Sequence, residues 1–172
     1  MSHILKNLIL KTALKKILLL IALLFFGFGF GQNKVVTNNP TVVFPEIHDF
    51  VNDYDDILSL SQEVILKAYA KEIEKQNNIG IVIVTVASIS PYTDIYDYSL
   101  DLAKQAKFGC IVIVVCKNMR ALQIQNCDAI VSKLTDEETK SIIDHHIIPE
   151  FKKGNYFTGL ENGILEIKKE LQ

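Results

Sequence analysis

The chain has 172 residues, with 18 Lys and Arg against 20 Asp and Glu, and a formal net charge of −2 at pH 7. Residues 1–31 hold four of the lysines and no acidic residue, so the remaining 141 residues carry 14 basic against 20 acidic groups, a balance of −6. Nucleic-acid binding needs a basic face, and this balance argues against that function. A chain of 141 residues is long enough for one domain with its own core.

Residues 1–31 have the order of residue types that is typical of a secretory signal. A lysine-rich head is followed by an apolar run at residues 17–30 and by glycines just before the polar Gln32. The alternative is a retained anchor, but a bilayer-spanning helix needs about 20 apolar residues, and residues 17–31 supply only 15. We therefore expect an extracytoplasmic protein, periplasmic or tethered facing outward, that meets the membrane only through this segment.

The next segment separates the signal from the domain. Residues 32–44 are polar and β-branched and contain an Asn-Asn-Pro sequence, which predicts a linker. The domain then occupies residues 45–172. Its first helix is predicted from Ser59, which has Gln62 three residues later in the spacing of a capping box. Apolar residues recur at helical intervals from there to the two asparagines at residues 77–78.

Two apolar runs predict the buried strands of a sheet. Residues 79–86 and 110–116 are nearly continuous in β-branched residues, as in strands covered on both faces. Between them, Asp94 is placed to cap a second helix that extends to Lys107. The alternating residues 121–125 follow a short polar break and predict a β-hairpin with the second run.

The last part of the chain predicts two more helices. Thr135 with Glu138 forms a second capping-box spacing and opens a helix that we expect Pro149 to stop; residues 157–171 form the last helix. Strands this apolar need cover on both faces. The predicted fold is therefore α/β, a three-layer α/β/α sandwich with a small central sheet, a β-hairpin and helices on both faces.

Three stretches of this sequence resemble the TPM domain family: an opening motif at residues 51–58, a core strand at 79–86, and a closing motif at 134–136 and 147–160. In the closing motif, Pro149, Phe151, Gly-Asn-Tyr at 154–156 and Gly-Leu at 159–160 stand at the family's spacing. The resemblance implies an α/β sandwich on the outer side of a membrane. It also implies acid phosphatase activity in some members and binding of calcium or other divalent ions in some.

The sequence departs from the family pattern in two loops. Lys-Phe-Gly at residues 107–109 stands where the family has Asp-Asn-Gly, and Cys-Asp-Ala at residues 127–129 stands where it has a glycine-rich motif. The resemblance places both loops at the functional edge of the domain. Their loss argues against metal binding, and more strongly against phosphatase activity.

The acidic residues near the opening motif are the best candidate metal site. Asp49, Asp53, Asp55 and Asp56 form an acidic cluster in an irregular segment, and calcium takes six to eight oxygen ligands. Asp53, Asp55 and Asp56 are the expected ligands, because carboxylates two residues apart, such as Asp53 and Asp55, can converge on one ion. We expect weak binding of calcium or another divalent cation there, with Asp128 partly replacing the family's second acidic loop at the same edge. The alternative is a solvated turn in which Asp53 accepts backbone N–H groups.

The three cysteines allow a specific pairing. If residues 118–119 form a two-residue hairpin loop, facing residue numbers sum to 237, and Cys110 faces Cys127. The pair would be non-hydrogen-bonded, with Cα atoms about 4.5 Å apart, within the range for a disulfide. Export to an oxidising compartment permits the bond, and two buried free thiols are the alternative. Cys116 is expected to be free and buried.

These features favour a non-catalytic interaction module of the cell envelope, modulated by a divalent ion. Its partner would be another envelope protein, not yet identified, and the domain itself would be a monomer. The alternative is a metal-dependent acid phosphatase of the TPM type, in which Asp53 and Asp55 hold an ion that polarises a phosphoryl oxygen. A structural protein without a ligand is the third hypothesis. The sequence assigns no catalytic residue.

Overall fold

The computed structural model describes residues 43–107 and 109–172. The predicted signal and all but the last two residues of the predicted linker lie outside these residues. Within the described part of the chain, no helix is both long and apolar enough to cross a membrane.

Four strands form one mixed sheet in the order β1-β2-β3-β4. The strands are β1 (Val51–Asp53), β2 (Ile81–Thr85), β3 (Ile111–Cys116) and β4 (Ala121–Asn126). β1, β2 and β3 run parallel, and β4 runs antiparallel to β3. The sequence did not predict β1, because three residues carry too little periodicity to indicate a strand. Its existence depends on pairing with β2.

The described residues contain five α-helices: α1 (Leu60–Asn77), α2 (Ile95–Ala103), α3 (Asp136–Ile142), α4 (Ile148–Phe151) and α5 (Tyr156–Glu170). Four of them pack against the sheet, whereas the short α4 contacts α5 and the turn before it. A π-helical turn, Ile143–Ile147, joins α3 to α4. Both predicted capping boxes are present. The Ser59 and Thr135 side chains each accept from the backbone N–H three residues later, and their own backbone N–H groups donate to the Gln62 and Glu138 side chains. Asp94 caps α2 as expected.

The two faces of the sheet belong to two separate hydrophobic clusters. Ile81 and Ile83 of β2 pack with residues of α1, α3 and α5, whereas Val82 and Val84 face the other way and pack with residues of α2. All five residues of β2 are buried. This arrangement confirms the predicted α/β/α sandwich with a central sheet and helices on both faces.

Two helix boundaries differ from the prediction. α2 ends at Ala103 rather than near Lys107, and the next turn tightens into i to i+3 hydrogen bonds. Pro149 does not stop the helical path but lies in the first turn of α4. A proline there costs no hydrogen bond, because first-turn amides have no partner within their helix. The π-helical turn immediately before α4 lets the path continue.

The β3–β4 hairpin keeps the predicted register with a different turn. The last pair is Cys116 with Ala121, so residues 117–120 form a four-residue turn in place of the two-residue loop. Arg120 in this turn has a φ of 51°. Adding one residue to each side of the loop leaves the sum of facing residue numbers unchanged, which is why the register prediction is correct although the turn prediction is wrong.

The register brings Cys110 and Cys127 together in a disulfide with a Cα–Cα distance of 4.9 Å. The Cys127 N–H donates to the Cys110 carbonyl at 2.7 Å, so the pair is hydrogen-bonded rather than non-hydrogen-bonded as predicted. Its position in the ladder follows from the longer turn, which shifts the alternation by one pair. Cys116 is free and buried, as expected.

Two glycines allow α5 to approach the segment before it. A Cβ atom on Gly163 would lie 2.6 Å from Cδ1 of Ile147, and one on Gly159 would lie 2.6 Å from the ring of Phe151. Contacts that close do not occur between real Cβ atoms and their neighbours, so larger side chains would push α5 away. The close packing fixes Phe151 and the start of α5 beside the ends of β3 and β4.

Candidate functional site

Three loops meet at the carboxyl edge, which we define as the ends of β1, β2 and β3 and the loops that follow them. Hydrogen bonds connect these loops. The Tyr54 N–H donates to the Thr85 carbonyl at 3.2 Å, and Asn118 Nδ2 donates to the Ala87 carbonyl at 2.9 Å. In open α/β sheets, ligands bind outside the carboxyl ends of the parallel strands. The carboxyl edge is therefore the first place to search for a site.

Asp53 ends β1, and its carboxylate organises the loop that follows. One oxygen accepts from the Leu58 N–H at 2.8 Å, and the other accepts from the Ile57 N–H at 3.3 Å and from the Thr85 hydroxyl. These bonds are the backbone-capping role that the sequence offered as the alternative to metal binding. They leave Asp53 less free to bind a cation than its position in the sequence suggested.

Asp55 has the opposite environment. Its N–H donates to Thr85 Oγ1 at 3.1 Å, but its carboxylate atom Oδ2 is buried and has no hydrogen-bond partner among the described residues. A buried acceptor without a partner loses its hydration without compensation. The neighbouring Asp56 is exposed and has a φ of 48° in the left-handed region. A water molecule or a cation at Asp55 would satisfy the unpaired oxygen.

Glu63, in the first turn of α1, adds a fourth acidic group that the sequence analysis missed. Burial raises the pKa of Glu63, and the negative charges of Asp53 and Asp56 raise it further. The side chains are thus near enough to repel one another. We call residues 53–56 the acidic loop, and Glu63 is its neighbour on the helix. In the sequence, Glu63 resembles any other exposed residue of the first helix. Its proximity to the acidic loop follows only from the fold.

Asp49, by contrast, belongs to a separate ion pair with Lys67 of α1. Partial burial by itself would raise the pKa of Asp49, but the hydrogen bonds from Lys67 and from the Phe50 N–H hold it below its usual value. This pairing separates Asp49 from the candidate cation ligands.

The acidic loop fits a loosely held cation better than a tight metal centre. Across residues 43–107 and 109–172, no group of three or more His, Cys, Asp or Glu side chains is arranged to hold a metal ion. Calcium accepts backbone carbonyls and water molecules as well as carboxylates. Asp55 and Asp56 would supply the charge in such a site, and the remaining ligands would be neutral oxygens.

Asp128 lies at the opposite end of the sheet, which we call the amino edge. Because β4 is antiparallel to β3, the residues after β4 lie beside Gly109 at the start of β3. The expectation that Asp128 sits at the same edge as Asp53 is therefore wrong. Lys107, Gly109 and residues 127–129, which belong to the two segments where the sequence departs from the family pattern, lie at the amino edge and not at the acidic loop.

A basic cleft opens at the other end of the carboxyl edge, beside the β3–β4 turn. It has a volume of about 550 Å³ and mixes cationic with aromatic and aliphatic side chains. The lining comes from the ends of β3 and β4, from α4 and from the start of α5: Val115, Cys116, Lys117, Arg120, Ala121, Ile148, Phe151, Lys152, Lys153, Gly154 and Tyr156.

The cations of the basic cleft are mostly without anionic partners. Lys153 pairs with Glu150 at 2.6 Å, and Lys117 Nζ lies 5.6 Å from the centroid of the Tyr156 ring. Within the described residues, neither Lys117, Arg120 nor Lys152 forms an ion pair. The sequence analysis did not predict this cleft, because its cations come from two segments more than thirty residues apart.

The sequence of residues 51–170 matches the TPM domain. This chain belongs to the TPM domain family. The resemblance identified from its opening, core and closing motifs is thereby confirmed. No curated protein sequence matches the chain significantly.

Three solved structures, all determined by NMR, are similar to this TPM domain. The N-terminal domain of a protein from P. gingivalis is 26% identical with a TM-score of 0.66, and the match covers 73% of this chain and 83% of that one. The N-terminal domain of the cg2496 protein from Corynebacterium glutamicum is 14% identical, with a TM-score of 0.59 and coverage of 76% and 86%. The BA42 protein from Bizionia argentinensis is 20% identical, with a TM-score of 0.55 and coverage of 68% and 83%.

The family motifs of this TPM domain meet at the carboxyl edge. The opening motif, residues 51–58, forms β1 and the acidic loop, and the closing motif, residues 147–160, forms α4, the start of α5 and one wall of the basic cleft. Two segments that are almost a hundred residues apart in the sequence therefore contribute opposite charges to one edge of the sheet.

Proposed function

We propose that this TPM domain is a non-catalytic interaction module of the cell envelope, and that its carboxyl edge binds another envelope protein and responds to a divalent cation. One observation carries the proposal: the acidic loop and the basic cleft lie on the same edge of one sheet. Separated patches of opposite charge orient a partner and speed its association. The predicted export segment supports an extracytoplasmic setting, where calcium is abundant.

The cation response rests on the contrast within the acidic loop. Asp53 has its oxygens engaged in hydrogen bonds, whereas Asp55 has one buried oxygen without a partner in the described structure. Asp56 and Glu63 add negative charge nearby. A divalent ion at Asp55 would satisfy the unpaired oxygen and reduce the repulsion. Neutral ligands would complete the shell, so the affinity would be low.

The alternative function is a metal-dependent acid phosphatase of the TPM type. It draws support from the cations of the basic cleft, since arginine and lysine bind phosphoryl oxygens. It also requires Asp53 and Asp55 to hold the metal ion together. The hydrogen bonds of Asp53 to the loop backbone and to Thr85 oppose that role, and we therefore favour the interaction module.

A calcium titration of the ¹⁵N-labelled full chain in a nonionic detergent tests the proposal. We expect chemical shift changes at residues 53–56 and at Glu63, and their loss in Asp55→Asn. Asp128→Asn is the matched control, because it removes an exposed carboxylate at the amino edge and should leave the response unchanged. Unchanged resonances in the acidic loop at millimolar calcium would rule out the cation response.

Phosphatase activity needs a separate assay. The wild-type protein, incubated with an aryl phosphate and calcium, magnesium or manganese, should release no phosphate above the rate of the metal alone. Metal-dependent turnover that disappears in Asp53→Ala would overturn the interaction module in favour of the enzyme.

A further inference from the structure

We propose that the basic cleft is the docking site for a short acidic segment of the partner protein. Carboxylates of the segment would pair with Arg120 and Lys152, and an apolar side chain next to them would pack against Phe151 and Tyr156. This inference rests on the proposed interaction function and names the chemistry of the partner.

The first argument is the local charge. Four cations line the cleft, and its lining includes no carboxylate. Lys153 forms an ion pair with Glu150. The hydrogen bond from Lys140 lowers the pKa of Asp144, and Lys152, which forms no ion pair, lies close enough to lower it further. Lys117 and Arg120 have no such carboxylate neighbour among the ion pairs of the described residues. The full chain has a net charge of −2 at pH 7, so this positive patch is not a consequence of composition. An anionic group that enters the cleft would meet several unpaired cations at once.

The second argument is the backbone at Arg120. Its φ of 51° lies in the left-handed region, which asparagine and glycine adopt more readily than arginine. Unfavourable backbone conformations concentrate at functional sites. The planar guanidinium group matches a carboxylate with two parallel hydrogen bonds. Arg120 thus occupies a turn position that glycine or asparagine would adopt more readily, and its side chain is one that binds carboxylates.

The third argument is the shape and the apolar part of the lining. A volume of about 550 Å³ lies within the usual range for ligand pockets, about 300–1,000 Å³. The half-buried rings of Phe151 and Tyr156 have centroids 4.8 Å apart. A concave site with aromatic walls can accommodate an apolar side chain of the partner segment. A flat anionic membrane surface would reach the exposed lysines but not these rings.

The dipole of α5 strengthens the same site. α5 begins at Tyr156, and no side chain caps its first turn. The amino end of a helix carries a partial positive charge. This contribution is secondary to the side-chain cations, and it favours the same anionic ligand.

The probe for this proposal is a fluorescein-labelled ten-residue peptide that contains several glutamates around one phenylalanine. The control peptide has glutamine in place of every glutamate. Fluorescence anisotropy with the full chain in a nonionic detergent, without calcium, should show binding of the acidic peptide only. Raising the salt concentration should weaken it, because surface charges are screened.

Single variants locate the binding. Arg120→Asn removes the charge but suits the left-handed turn, and Lys152→Gln removes a second charge. Each should raise the dissociation constant about five- to tenfold, the size expected for one charge-assisted bond. Lys75→Gln, an exposed lysine in the last turn of α1, is the matched control and should leave the affinity unchanged. Circular dichroism verifies that each variant is folded.

Three results would overturn the proposal: equal peptide affinity in wild type and both cleft variants, binding to phosphatidylglycerol vesicles without binding to the peptide, or binding of inorganic phosphate as tight as that of the peptide. The outcome is independent of the cation test. Asp55→Asn should abolish the calcium response and leave peptide affinity unchanged. A normal calcium response without peptide binding would refute only the docking site.

Discussion

The amino edge and the carboxyl edge of the sheet differ in how they are packed and in how their charges are paired. At the amino edge, the disulfide Cys110–Cys127 joins β3 to β4, and a Cβ atom on Gly109 would lie 2.9 Å from a methyl group of Val82. At the carboxyl edge, two non-glycine residues have left-handed backbones, Asp56 and Arg120. The amino edge also has a left-handed residue, Asn78, but asparagine adopts this conformation more readily than arginine. One end is thus covalently closed and tightly packed, and the other has unpaired charge.

This difference indicates which end is available for binding. Buried oxygens without a partner occur at both ends, Asn77 Oδ1 and Asn126 Oδ1 at the amino edge and Asp55 Oδ2 at the carboxyl edge. What the carboxyl edge adds is charge, because its unpaired oxygen belongs to a carboxylate and its cations Lys117 and Arg120 form no ion pair within the described residues. The loss of the family's acidic residue in the loop at 107–109 falls at the closed end. Binding at the carboxyl edge therefore does not depend on it. The predictions below perturb first one end and then the other.

Reduction of the disulfide should have the largest effect on stability. The bond closes a loop with a sequence separation of 17 residues, for which chain entropy predicts a stabilisation of about 3 kcal/mol. Urea unfolding with and without reductant measures the difference. A Cys110→Ser, Cys127→Ser double variant should match the reduced wild type and show no response to reductant. Identical midpoints for oxidised and reduced wild type would contradict the prediction.

The same treatment sharpens the comparison between the edges. Because the bond lies at the amino edge, the folded double variant should keep the calcium shifts of the acidic loop and its affinity for the acidic peptide. Loss of either response at temperatures where the variant remains folded would show that the two edges are coupled.

The substitution Gly163→Ala should have the next largest effect. The added methyl group meets Cδ1 of Ile147 at 2.6 Å, and overpacking of this kind costs about 2 kcal/mol. The compensating change Ile147→Val removes that Cδ1 atom. The double variant should therefore be more stable than the sum of the single effects, which urea unfolding in a double-mutant cycle measures. Simple additivity would show that the close approach is relieved elsewhere.

Substitutions in the acidic loop should have smaller effects on stability, and the effects at Asp53 and Asp55 should differ in direction. Asp53→Ala removes the acceptor of three hydrogen bonds and should lower the free energy of unfolding by about 1–2 kcal/mol. Asp55→Asn removes a charge whose oxygen has no partner and should leave stability unchanged or higher in the presence of a chelator. Thermal unfolding of both variants in EDTA measures the difference. Equal destabilisation would contradict the distinct roles of the two carboxylates.

Much of this fold was predictable because its signals are local. The capping boxes at Ser59 and Thr135 and the apolar runs of β2 and β3 each lie within a few residues. The hairpin register followed from arithmetic that does not depend on the exact turn. β1 was missed because its stability comes from pairing with β2, and the helical path through Pro149 was missed because the π-helical turn is a tertiary feature.

The site was less predictable because it depends on topology. The predicted register already set Asp128 beside Gly109 at the start of β3. The error was to expect Asp53 at that edge, because the sequence did not predict β1, whose parallel pairing with β2 puts Asp53 at the opposite end of the sheet. The basic cleft joins the turn at 117–120 with α4, and Glu63 approaches the acidic loop only through the packing of α1. None of these proximities has a signature in the linear sequence.

The pKa of Glu63 gives the smallest effect and the most direct measure of charge at the carboxyl edge. Burial, together with Asp53 and Asp56, raises this pKa above its ordinary value of 4.5. The folded state then binds protons more strongly than the unfolded state, so the contribution of Glu63 to stability falls as pH rises from 4.5 through the folded pKa. Glu63→Gln should therefore gain stability relative to wild type at pH 7, and this gain should vanish at lower pH.

Glu63 lies in the first turn of α1, where a negative charge also interacts favourably with the helix dipole. Glu63→Gln loses that interaction too, so the control variant must lose the same interaction in another helix. Glu137→Gln in the first turn of α3 provides it. Urea unfolding of wild type and both variants between pH 4 and 7 gives the stability differences, and an NMR titration gives the pKa itself. Calcium should lower the pKa of Glu63, because a cation at Asp55 and Asp56 offsets their negative charge. An unchanged pKa at saturating calcium would place the bound cation away from the acidic loop.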